Sequence, residues 1–291
     1  KDLPPLPAEV NRWSAGLFDI TAGYDLFLGF FALEELSVPL KGKADFLAKR
    51  QELADEVDGL LGMKLADLFA SLDDFGVTYQ SPGDGFLNAG QVFAVRARDE
   101  AELKKQLRRF CQGLEKLGRG ELRVTRRVYE GVDTTEFALA EGGFFRPTGC
   151  VCDGWMVWGF YPQAVHGFIL RSKGKLPAWK PDERTAKMLA TIPPGPGAIQ
   201  YTDPRPTVKL LLSGSQPFAE YLNGRKDLLG VLDPGLLPNP GEACRPLFPG
   251  VHWTHNDGKT IRWESRESLA LPLEIVGVEF PLGLLAATQL K

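Results

Sequence analysis

Two dipeptides constrain the fold more than anything else in the sequence. Glu130-Gly131 and Asp153-Gly154 each separate two runs of alternating or apolar residues. An Asx-Gly or Glu-Gly pair in that setting favours a two-residue hairpin turn, because both central residues can take positive φ at low steric cost. A two-residue turn also fixes register. For the first hairpin it places Val124 opposite Phe137, Leu122 opposite Leu139 and Thr125 opposite Glu136, so apolar residues meet on one face and polar residues on the other. The second hairpin joins Gly149–Cys152 to Trp155–Trp158. It is apolar on both faces, which predicts a central or covered position.

Around these hairpins the pattern predicts an α+β chain: an antiparallel sheet with packed helices and a helical N-terminal region. Helical spacing runs from Lys43 to Leu61 and again through Leu65, Leu68, Phe69 and Leu72. The apolar run Tyr24–Leu33 reads as a buried helix. Gln91–Arg98 alternates, with Phe93, Val95 and Ala97 on one face. Asp99 then caps a helix, with Glu102 as its capping-box partner, and Leu103, Leu107, Phe110, Leu114 and Leu117 form the helix's apolar stripe. Pro162 sits at a helix start. Ser81–Gly85 reads as a turn and Leu228–Pro249 as a long surface loop.

Residues 1–80 are expected to form the helical region and 86–291 an α+β region. Within the latter, 86–172 and 183–268 read as half-repeats of a strand–helix–hairpin unit, the second closing on a hairpin across Asp257-Gly258. Lys173–Pro181 is the basic linker between them. The opening Lys1–Pro7 is proline-rich and reads as a linker too.

The composition excludes some classes of function. A formal net charge of −3 leaves no basic footprint for nucleic acid. Arg119, Arg123, Arg126 and Arg127 form the nearest cluster, read as a solvated strand face. No stretch of 18 uncharged apolar residues occurs, so no membrane span is expected in the sequence itself. Leu269–Leu290 is apolar but broken by Pro272, Glu274, Glu279 and Pro281.

Candidate chemistry is sparse. Cys111, Cys150, Cys152 and Cys244 are candidates for disulfides in any of three connectivities, or for none. Cys150 and Cys152 could share an ion, but they lack a second ligand pair nearby in sequence. His252 and His255 fall on opposite faces of a strand and read as solvent-side hairpin residues. Ser213-Gly214-Ser215 lacks the second glycine of a nucleophile elbow. No phosphate loop, dinucleotide fingerprint or zinc-protease helix is present, and no cofactor, catalytic residue or metal ligand is assigned. Trp155, Trp158, Trp179, Trp253 and Trp263 read as core, with Trp179 the exception. Trp179, Leu282, Leu284 and Leu285 are the candidate interface residues.

Gly90–Ala97 with its capped helix, Tyr129-Glu130-Gly131-Val132, and Asp153–Gly159 together resemble a unit found in uncharacterised extracytoplasmic α+β proteins of planctomycete-type bacteria. The close, Pro281–Ala287, is similar to the juxtamembrane endings of that group. The second unit departs from the pattern where the Pro/Gly loop stands. The resemblance implies an exported protein of the periplasm or cell envelope, tethered to the membrane outside the given chain, in surroundings that permit disulfides. The function expected is non-enzymatic binding or scaffolding, through a protein partner or self-association. The alternative is a small-ligand carrier, or an enzyme whose site is assembled from distant residues.

Overall fold

Both glycine turns form as the sequence dictates. In the computed structural model Glu130 and Gly131 have φ of 52° and 77°, and Asp153 and Gly154 have 56° and 76°, the two successive positive values of a type I′ turn. The structure describes residues 3–17, 24, 43–81, 90–118, 120–140, 142, 145–193, 195, 197–223, 238–256 and 260–268. The Tyr24–Leu33 helix (Tyr24 apart), the turn at 82–85 and the segment 269–291 lie outside them.

The described strands are β1 (Arg12–Leu17), β2 (Leu72–Gln80), β3 (Val92–Ala97), β4 (Leu122–Tyr129), β5 (Val132–Leu139), β6 (Thr148–Cys152), β7 (Trp155–Gly159), β8 (Ala198–Thr202), β9 (Gly250–Asn256) and β10 (Ile261–Arg266). The described helices are α1 (Lys43–Leu61), α2 (Leu65–Ala70), α3 (Glu100–Leu117), α4 (Pro162–Ser172), α5 (Glu183–Leu189), α6 (Pro204–Asn223) and α7 (Pro240–Cys244). The chain divides into two compact units. The first comprises Lys1–Val10 and Ser14–Lys180, the second Asn11–Trp13 and Pro181–Lys291. The division falls inside the basic linker, and β1 is shared between the units at Trp13/Ser14.

In the first unit the strands run in the order β2-β3-β7-β6-β5-β4, antiparallel throughout. The β4–β5 register pairs Val124 with Phe137, Leu122 with Leu139 and Thr125 with Glu136, as the two-residue turn requires. The second hairpin is interior, with β7 lying between β3 and β6. Helices α1, α2 and α3 cover one face. Ala54, Val57, Leu61, Leu65 and Leu68 there meet Leu103, Leu107 and Phe110 of α3 over Phe137 and Val151 of the sheet. Gly113 permits the close approach of α3 to α1, since a Cβ there would collide with the Leu61 carbonyl. On the opposite face α4 buries Ala164, Val165, Phe168 and Ile169.

Asp99 caps α3 by accepting bonds from the Ala101 and Glu102 amides at 3.0 Å each. The reciprocal half of the capping box is replaced, because Glu102 turns its carboxylate to Lys105 and Gln106. In β3 the deeper side is Val92 and Ala94, at 0% and 1% exposure, whereas Phe93 on the expected face is 39% exposed.

The N-terminal stretch differs most from expectation. Residues 12–17 and 72–80 are strands, and the proline-rich opening is packed rather than a linker. Leu6 and Val10 are 2% and 4% exposed. Arg171 of α4, itself buried, holds this segment: its Nε donates to the Pro5 carbonyl at 3.1 Å and its Nη2 to the Tyr79 hydroxyl at 3.2 Å. The Trp179 amide donates to the Leu6 carbonyl at 2.9 Å.

In the second unit the order is β10-β9-β8, again antiparallel, with α5 packed on β9 and α6 on α7. Strand, helix and hairpin follow one another here (β8, α6, β9-β10) as they do in β3, α3, β4-β5. The pairing differs, because β8 pairs with β9 whereas β3 pairs with β2 and β7. The second hairpin first pairs Asn256 with Ile261, a wider connection than a two-residue Asp257-Gly258 turn gives, and residues 257–259 themselves lie outside the described residues. The Pro/Gly stretch, read as loop, contains α7, capped by Asn239.

Replacing Arg171 with Met leaves the Pro5 carbonyl and the Tyr79 hydroxyl without this buried donor. We expect a loss of about 3 kcal/mol in urea-induced unfolding, together with earlier proteolytic cleavage within residues 3–10. An unchanged denaturation midpoint would remove Arg171 as the clamp.

Candidate functional site: an arginine-lined concavity on the β4–β5 hairpin

The pleat of β4 puts Arg123, Thr125 and Arg127 on one side and Leu122, Val124, Arg126 and Val128 on the other. Val124 and Leu122 pack on the helical core, so the arginine side faces away from α3. Register then sets Glu136 of β5 beside Thr125. Glu136 is buried to 6% exposure, and a carboxylate in that position requires cations or donors around it. Arg127 Nε lies 3.4 Å from its Oε1 and Arg146 Nη1 lies 3.9 Å from its Oε2.

Arg146 reaches the site from the segment before β6. Its backbone amide donates to the Phe160 carbonyl at 3.1 Å. Beside it the Phe145 ring packs against Phe160 and Tyr161, with centroids 5.8 and 6.1 Å apart. The result is a concavity of about 320 Å³ lined by Arg123, Thr125, Arg127, Glu136, Phe145 and Arg146 among others. Arg123 has no ion-pair partner among the described residues. Cations therefore exceed carboxylates by two among these lining residues, in a chain whose formal net charge is −3.

Next to the site, His166 of α4 lies flat on Tyr129 at 3.8 Å and 7°. Burial holds the imidazole pKa below its ordinary value, against a smaller opposing pull from Glu136, so at neutral pH the ring contributes stacking and no charge. The lining offers a hydroxyl in Thr125 and a carboxylate already engaged by arginines. Among the described residues that line it there is no serine, cysteine, histidine or lysine. Guanidinium groups at this spacing recognise carboxylates or other oxyanions through paired N–H donors.

Among the residues expected to matter, Arg123 and Arg127 join the site and Arg126 points to the other side, 3.8 Å from Glu115. Arg119 lies outside the described residues. The solvated-face reading thus misses the buried carboxylate on which two of the arginines converge. Arg146 carried no signal in sequence, since an arginine before a proline in a loop is unremarkable.

The four cysteines, taken as candidate disulfide partners, are free thiols. The geometry explains why. Cys150 and Cys152 stand two residues apart on β6, about 6.6 Å along a strand, with parallel Cβ vectors. Cys111 packs with Val151 in the helical core, so it lies across the sheet from both. Cys244 belongs to the second unit, where its Sγ donates to the Arg205 carbonyl at 3.4 Å. Among the described residues no three His, Cys, Asp or Glu side chains gather as a metal site.

His252 is buried to 3% exposure rather than solvent-side, 3.4 Å from Glu267 and stacked on Trp263. Trp263 is 62% exposed, contrary to a core assignment, whereas Trp155 and Trp253 are core at 6% and 3%. Trp158 packs on the helical core, and Trp179 is half-buried with its amide bound to Leu6. Ser213 and Gly214 fall within α6, which is not the strand-to-helix turn of a nucleophile elbow. Leu282, Leu284 and Leu285 lie outside the described residues.

No protein-family model and no curated protein matches the sequence. Among solved structures, crystal form I of TP0453, a Treponema protein, aligns with 90% of this chain and 77% of its own at 8% identity and a TM-score of 0.37.

Burial pushes the Cys111 thiol up to about 11 from an ordinary 9.0, and raises Cys150 further. A raised folded-state pKa contributes stability that is complete below the unfolded value and is lost as pH climbs through the folded one. Unfolding midpoints should therefore fall between about pH 9 and pH 11, and the fall should be smaller in Cys111→Ala. Thiol reagents should modify Cys244 first in the native protein, and Cys111 and Cys150 only on unfolding. Fast native labelling of Cys111 would contradict the packing.

Proposed function

We propose that this chain is a non-enzymatic binding protein of the cell envelope, exported from the cytoplasm, and that it engages a protein partner through the arginine concavity. The observation that supports this most is the excess of two positive charges among the described residues that line the concavity, organised by one buried carboxylate. Glu136 anchors Arg127 and Arg146, which restricts their rotamers before any ligand arrives and reduces the entropy lost on binding. Among the described residues of the site no nucleophile is paired with a base, which favours recognition over turnover. Acidic side chains of a partner match its charge. The resemblance to extracytoplasmic α+β proteins supports the location. Among the described residues no helix is long and apolar enough to cross a membrane, so a tether would lie elsewhere.

A photo-crosslinking residue at position 125, inside the concavity, should capture an envelope protein in cells that carry the full gene, while the same residue at the exposed Lys187 should not. Arg123→Glu combined with Arg127→Glu should reduce that capture by about tenfold or more, as expected when attraction becomes repulsion. Equal capture from both positions, or recovery of the protein in the cytoplasmic fraction, counts against the proposal.

A further inference from the structure

The outer side of β4 is a second feature of the same hairpin, and it depends on the backbone rather than on the concavity. In a two-residue hairpin the residues flanking the turn form a hydrogen-bonded pair, and bonded and non-bonded pairs then alternate along the ladder. Tyr129 pairs with Val132 across Glu130-Gly131, so the odd-numbered residues of β4 direct their amides and carbonyls to β5. Two bonds at the ends of the ladder agree with this parity. The Ala140 amide donates to the Glu121 carbonyl at 2.7 Å, and the Phe137 amide, opposite Val124, turns to the Pro147 carbonyl on the far side at 2.8 Å. Leu122, Val124, Arg126 and Val128 therefore direct their backbone groups outward. β4 is terminal in the order of the described strands. The Leu122 amide turns back to the Gly118 carbonyl at 3.4 Å, and from Val124 to Val128 the outward donors and acceptors have no backbone partner among the described residues.

The side chains along this edge have a period of two. One face carries Arg123, Thr125 and Arg127, continuous with the concavity. The other carries Leu122, Val124, Arg126 and Val128, with Arg126 3.8 Å from Glu115, Val128 70% exposed and Leu139 opposite Leu122 at 60%. A strand laid against this edge would meet Arg123 and Arg127 flanking Thr125 on one face, and Leu122, Val124 and Val128 with the Glu115-paired Arg126 on the other. One register of self-pairing is disfavoured by charge. Antiparallel pairing of β4 with itself, centred on Thr125, sets Arg123 against the other copy's Arg127, and like charges facing each other across a ladder are unfavourable.

We infer that the β4 edge accepts an extended segment of a partner protein in which acidic and apolar residues alternate, added antiparallel as one more strand, with its acidic side chains reaching the arginine face. This rests on the binding role proposed above and specifies its mode: main-chain hydrogen bonds supply affinity, and the arginine and valine faces select sequence.

The test uses the full chain and an acetylated, amidated peptide of alternating glutamate and valine, matched to the eight residues of β4. Binding should slow hydrogen exchange at the amides of Val124 and Arg126 and leave those of Arg123, Thr125 and Arg127 slow throughout. A peptide methylated at alternate backbone nitrogens should bind about tenfold more weakly, as should the unmodified peptide to Val128→Pro, in which an outward amide is removed without breaking the β4–β5 ladder. A lysine–valine peptide should not bind. Should Val128→Pro fail to fold, the methylated peptide decides against the wild-type chain. Absence of binding, equal affinity for the methylated peptide, or binding without protection of Val124 and Arg126 overturns the inference. Photo-capture from position 125 that persists in a folded Val128→Pro leaves the arginine site standing and overturns the edge pairing alone.

Discussion

The parity of the β4–β5 hairpin underlies most of what this chain presents. Its type I′ turn admits one register, and that register assigns each side chain of two strands to a face. Phe137 goes to the helical core and Glu136 to the opposite side. A slip of one residue would exchange them, placing a carboxylate among Leu107, Phe110 and Val151 and a phenyl ring among arginines. Both errors cost far more than a hairpin gains from pairing, so core and site enforce the same alignment. Backbone direction follows from the same choice, since it also decides which amides of β4 remain outward.

Where two levels of the sequence agreed, the fold was legible. Turn chemistry and alternation coincided at both glycine turns, and the paired residues are those that the alternation demanded. The α3 cap and stripe were readable for the same reason. β2 was not read as a strand, because Asp73 and Asp74 suggested the end of a helix while Phe75, Val77 and Tyr79 alternated behind them. β1 offered small residues around a single tryptophan, too little contrast for a period to emerge. The packed opening was missed because prolines resemble a linker unless something distant holds them, and the holder, Arg171, lies 166 residues away.

The site was legible in part. Arg123 and Arg127 stood out as a cluster, but clusters on exposed strands are ordinarily solvated, and what changes their meaning is a carboxylate that only register brings near. Arg146 comes from a loop whose course no local pattern encodes. The cysteines erred in the other direction. An even count suggested bridges, whereas one thiol is separated from two others by the thickness of the sheet, and those two are held apart by strand geometry. Connectivity of that kind depends on tertiary placement, which spacing along the chain does not contain.

Trp263 has a spectroscopic consequence. Trp155 and Trp253 are shielded by packing, Trp13 is buried to 2%, and Trp179 is half-covered. An indole that is 62% exposed on β10 will emit at longer wavelength than these and will meet a soluble quencher far more often. Its ring stacks on His252, so its emission also samples the imidazole beside it. Red-edge excitation with acrylamide quenching can thus follow β10 by itself, while the blue-shifted remainder reports the packed tryptophans of both units, Trp13 and Trp253 of the second and Trp155 of the first.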